Sequence, residues 1–73
     1  MTIPWNQTVS LSWAEHGKVY GQSMEIGEAV DLFATFTDER KRRSEMFLLS
    51  PIEIAPGETI LHPETIEQLI VLR

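Results

Sequence analysis

The chain contains no cysteine. Disulfides, thiolate metal sites and cysteine nucleophiles are thereby excluded. Small secreted domains usually depend on covalent staples, so the cytoplasm is the expected compartment. No apolar stretch approaches the roughly 18–20 residues needed to cross a bilayer. Residues Met1 to Trp5 lack a basic segment followed by an apolar run, so no signal peptide is expected. Glycine is scarce and scattered at positions 17, 21, 27 and 57, which leaves no glycine-rich phosphate loop. Serines occur in no nucleophile-elbow context. The two histidines, His16 and His62, each adjoin a turn-forming residue and show no metal-ligand spacing. No catalytic residue, metal or cofactor is expected, and the chain reads as non-enzymatic.

What is present is an ordinary globular composition, 42% hydrophobic and 23% charged over 73 residues. A chain of this length forms one domain, here 1–73, and buries about 60% of the surface its unfolded form exposes. That supports a small core and is too little for a deep pocket walled on several sides.

Residues 8–15, TVSLSWAE, alternate Val9, Leu11 and Trp13 with small or polar residues, the period of a half-buried strand. His16-Gly17-Lys18 predicts a tight hairpin turn with Gly17 at positive φ. Residues 19–26 return as a second strand, with Gly21 marking a bulge or a close backbone approach. Gly27-Glu28 reads as a turn. Residues 29–37, AVDLFATFT, fit a third strand, favoured by their β-branched and aromatic content. They also fit a helix, because Ala29, Val30, Phe33, Ala34 and Thr37 fall at helical spacing. The span 29–49 is therefore either strand–loop–strand or one long helix. The apolar run 46–49 is followed by Pro51, and Pro51-Ile52-Glu53-Ile54 resumes a strand alternation. Ala55-Pro56-Gly57-Glu58 predicts a type II turn. Residues 59–61 form a short strand or extended link, and Pro63 opens a C-terminal helix, although the run 69–72 also fits a last strand. The predicted fold is α+β and β-dominated: a small antiparallel sheet or partly open barrel with a short C-terminal helix.

Charge poses the functional question. The protein carries formal net charge −5, yet Arg40, Lys41, Arg42 and Arg43 gather four of its six basic side chains. With Asp38, Glu39 and Glu45 included, the stretch DERKRRSE nets only +1, and the remainder carries −6. A phosphate backbone meets weak local attraction inside a repulsive field, and no aromatic residue is interleaved to stack on bases. The cluster reads first as a solvated connector, second as a protein contact, because arginine grips carboxylates in two places, and third as a nucleic-acid site. Trp5, after Pro4, either covers one end of the core or projects toward a partner; it is the other candidate contact, since tryptophan is enriched among binding hot spots. Trp13 reads as core.

In its size, acidity, lack of cysteine and autonomy as a domain, the chain resembles the small regulators that bacteriophages direct against bacterial RNA polymerase. No motif aligns, including RKRR and HPETIEQL, so no binding residue carries over. The resemblance implies a non-enzymatic regulator of transcription in the host-cell cytoplasm, with Trp5 and Arg40–Arg43 as candidate contacts to a protein partner. The alternatives are a direct nucleic-acid binder acting through residues 40–43, or an accessory or antitoxin-like subunit of a larger complex.

Overall fold

Strand alternation and one tight turn build the first half of the sheet. A computed structural model describes residues 2–73, in which β1 (Thr8–Glu15) and β2 (Lys18–Glu25) pair antiparallel from Thr8↔Glu25 to Glu15↔Lys18. The turn between them places His16 at φ 52° and Gly17 at φ 77°. Two successive left-handed residues match the twist of the flanking strands, which is why such turns close two-residue hairpins. Gly21 lies directly opposite Ser12 and the ladder gains no extra residue, so there is no bulge.

The next segment is helical, which corrects the expected turn at Gly27-Glu28 and the strand over 29–37. Helix α1 (Ile26–Ala34) buries Ile26, Ala29, Val30 and Phe33, the i, i+3, i+4, i+7 stripe of an amphipathic helix. At its start the Glu25 N–H donates to the Glu28 carboxylate at 3.2 Å, satisfying one group that helix geometry leaves unpaired. A strand would have turned Ala34 inward with Val30; in the helix Ala34 is exposed.

The basic cluster is neither a loop nor a continuation of that helix. Thr37 starts a separate turn, α2 (Asp38–Arg42), its Oγ1 accepting the Arg40 N–H at 3.3 Å. Asp38 and Glu39 occupy its first turn and Arg40, Lys41 and Arg42 its last, the order the helix dipole favours.

Strand β3 (Ser44–Leu48) then pairs antiparallel with β1 on the side away from β2. The alternation expected over 51–54 forms no strand. Pro51 offers no backbone donor, and the chain turns instead, with Ala55 N–H bonded to Ile52 O and Glu58 N–H to Ala55 O, both at 3.1 Å. Gly57 sits at φ 77° in the second of these turns, as a type II turn requires. Strand β4 (Ile60–Leu61) pairs antiparallel with β3, and α3 (Pro63–Leu72) closes the chain with proline in its first turn.

The result is an open four-stranded antiparallel sheet in the order β2-β1-β3-β4 with a short C-terminal helix. Helix and strand are nearly equal, 33% and 32%, because α1 and α2 take residues that read as strand and loop. Val9, Leu11, Met46, Leu48 and Leu61 point from one sheet face into a core completed by α1 and by Ile66 and Leu69 of α3. Trp13 extends that face, half-buried and tilted against Phe36 at 5.3 Å. No residue of the opposite face, which carries Ser10, Ser12, Ala14, Val19, Gly21, Ser23, Glu45, Phe47 and Ile60, joins the buried core.

Candidate functional site

The capped turn of α2 determines where the basic side chains go, and three of the four go inward or to near neighbours. Arg40 donates through Nη2 to the Glu15 carboxylate at the end of β1. Its guanidinium lies 5.0 Å from the Phe36 ring centre. Lys41 reaches across to α3, with Nζ 3.1 Å from Glu67 and 5.5 Å from the Phe33 ring centre. Arg43 meets Glu39 one turn back at 3.2 Å. Arg42 is exposed and forms no ion pair among the described residues. The buried Ser44 hydroxyl donates to the Arg40 carbonyl at 2.7 Å, which fixes the exit from the turn. The expected site residues 40–43 are therefore together in space, but as a clamp joining β1, α1 and α3 more than as an open patch.

Trp5 lies on a different surface. It is half-buried against the core, and its carbonyl accepts the Gly27 N–H at 2.9 Å. Arg73 covers it, the guanidinium 5.2 Å from its ring centre. The same guanidinium grips Asp31 with two bonds, Nε to Oδ1 at 3.1 Å and Nη2 to Oδ2 at 3.0 Å. These bonds, against an opposing effect of desolvation and with a lesser contribution from the positive charge, hold the Asp31 carboxyl below its ordinary range. A Cβ at position 27 would lie 3.0 Å from the guanidinium, so Gly27 makes the room Arg73 occupies. Sequence reading found Trp5 but missed Asp31 and Arg73, which lie 42 positions apart.

The acid–base possibilities are thin. His16 approaches Glu15 at 3.8 Å and His62 approaches Glu45 at 3.6 Å, and both histidine side chains are exposed. A depression of about 110 Å³ does bring His16 together with Glu15 and Glu39, beside Arg40 and Arg43. It is well below the roughly 300–1,000 Å³ of small-molecule sites, and Arg40 already occupies the Glu15 carboxylate. No group of three potential metal ligands occurs among the described residues, and none of the helices described is long and apolar enough to cross a membrane.

The uncovered sheet face presents different chemistry. Phe47 and Ile60 are register partners on adjacent strands and remain 39% and 41% exposed, while Val19 at the other side of the sheet is 78% exposed. Between them lie the small side chains of Ser10, Ser12, Ala14, Gly21 and Ser23, with the Glu45 carboxylate beside Phe47 on β3. The signal was present in the unbroken run Met46-Phe47-Leu48-Leu49: on a strand, successive residues point to opposite faces, so one set had to face away from the core. Comparison of the chain with family models, curated proteins and solved structures finds no match.

Proposed function

We propose that the chain is a non-enzymatic protein-binding module whose contact surface is the uncovered face of its sheet. The observation that carries this reading is the exposed pair Phe47 and Ile60 at one side of a platform of small residues, with Glu45 beside them. A partner surface closing over them removes apolar area from water, the main favourable term in most protein association. Aromatic residues are also enriched at such contacts.

The finer reading is a regulator of bacterial RNA polymerase, working by occlusion or remodelling and performing no chemistry. Its support is the resemblance in size, acidity and absence of cysteine. Arg42, exposed and without an ion pair among the described residues, is the member of the basic turn free to add contacts at the edge of such an interface, with the exposed Arg43 beside it paired to Glu39. The nucleic-acid alternative loses its main support, because Arg40, Lys41 and Arg43 already face carboxylates.

Titration of the labelled protein with purified bacterial RNA polymerase tests both levels. Saturable binding is expected, weakened at least ~10-fold by Phe47→Glu, the scale of one interface hot spot, while far-UV circular dichroism is unchanged. No binding removes the polymerase as partner. Binding that ignores Phe47→Glu but is lost in Arg42→Glu/Arg43→Glu removes the sheet face as the contact.

A further inference from the structure

Among the described residues, the hairpin leaves one full strand edge without a partner. β2 is the outermost strand of the sheet, and seven of its eight residues are exposed, the exception being the half-buried Met24. On the far side of β1, Ala14 sends its N–H to Arg43 O at 3.2 Å. Peptide groups of an antiparallel ladder alternate in direction. Even-numbered residues of β1 therefore face β3, and odd-numbered ones face β2. Across the register, Tyr20, Gln22 and Met24 bond to β1, so Val19, Gly21 and Ser23 direct their N–H and C=O outward. None of these outward groups finds another partner among the described residues.

Natural edge strands are usually blunted by proline, bulges, inward-pointing charge or a covering element. β2 has no proline and no bulge, and its only charges, Lys18 and Glu25, stand at its two ends. Gly21 at its centre is not required by the chain's own packing. Its φ is not positive, and an added Cβ would meet nothing closer than the Leu11 carbonyl at 4.0 Å. A glycine inside a strand with no local reason marks a place where another backbone comes close.

We propose that β2 pairs antiparallel with β2 of a second copy of this chain, about a two-fold axis at Gly21, joining two sheets into one. In that register Gly21 faces Gly21 of the second copy and Val19 faces Ser23, so every outward group gains a partner. A strand edge paired with itself is the self-complementary contact that two-fold symmetry needs. Charge selects the antiparallel arrangement. Lys18, which makes no ion pair among the described residues, comes beside the acidic end of the partner strand, where Glu25 leads into Glu28 of α1. A parallel arrangement would set like ends together. The net charge of −5 on each copy opposes association and keeps it weak. The proposal does not depend on what the sheet face binds.

Sedimentation equilibrium of the full chain up to about 1 mM, the range of weak association, tests it. The weight-average mass should rise from 8.4 kDa toward twice that value. Two edge variants should remain at the monomer mass with unchanged far-UV circular dichroism. One is a synthetic chain N-methylated at the Gly21 amide, and the other is Ser23→Pro. Each removes an outward N–H that the monomer does not use. The synthetic chain keeps every side chain and decides the matter if Ser23→Pro fails to fold. A wild type that stays monomeric to about 1 mM leaves the edge to a foreign strand and overturns the proposal. A dimer that persists when the Gly21 amide is methylated lies on another surface and overturns it equally.

Discussion

Arg40 and Arg42 are two positions apart and carry the same charge, yet their surroundings give them different work. Arg40 is half-buried between the Glu15 carboxylate and the Phe36 ring, and its removal leaves a partly desolvated carboxylate unpaired. Arg40→Ala should cost about 1–2 kcal/mol, the scale of a charge-assisted hydrogen bond lost. Arg42→Ala should fall within about 0.5 kcal/mol of wild type, as surface substitutions do. Urea titration of both variants checks the contrast. Asp31 provides a second test at this scale. Its folded pKa is depressed by the Arg73 bonds, so its contribution to stability is present above the ordinary aspartate value of about 4. That contribution is lost as pH falls through the lower folded value. Carboxyl NMR should show Asp31 titrating below the ordinary range in wild type and returning to it in Arg73→Ala. Gly27→Ala should shift it the same way without unfolding the protein, because the atoms displaced are the mobile end of Arg73. An unshifted titration in both variants would mean that Arg73 does not hold Asp31 in solution. None of these pairings was legible in the sequence. The cluster could be counted and its local charge summed, but which arginine meets which carboxylate depends on packing between elements distant in the chain.

At the scale of elements, the hairpin, the proline–glycine turn at 56–57 and the helix opening at Pro63 were legible because each is signalled locally. Alternation, positive-φ residues and a proline at a helix start need no information from elsewhere. AVDLFATFT was different, because its apolar residues satisfy both periods. The choice fell to features the pattern does not weigh. One is the Glu25–Glu28 bond at the helix start, and another is that a helix buries Ile26, Ala29, Val30 and Phe33 together. Phe33→Ala should therefore cost about 3–5 kcal/mol, as for buried aromatic residues elsewhere, and leave little of the fold at ambient temperature. The short α2 rests on its cap. Thr37→Ala should cost about 1 kcal/mol, and it should speed amide exchange over residues 38–43 before the rest of the chain. Uniform exchange across the chain would show that the cap does not hold α2 as a separate turn.

For the whole molecule, acidity and asymmetry matter most. A chain of net charge −5 gathers most of its cations in one turn and then neutralises three of them internally. The side of the sheet facing α1 and α3 forms the core, and the other side is left uncovered with Phe47, Ile60 and Val19 exposed. Length and hydrophobic patterning could limit the fold to a small α+β class. They could not show which sheet face the helices would cover, because that follows from α1 packing behind β1 and β2 and α3 behind β3. The measurement that bears most directly on the protein-binding account is site-specific photo-crosslinking in a bacterial lysate, with benzoylphenylalanine placed in turn at Phe47 and at Arg42. The account predicts discrete protein adducts from position 47 and few from position 42. Nucleic-acid adducts from position 42, with none of either kind from position 47, would contradict it.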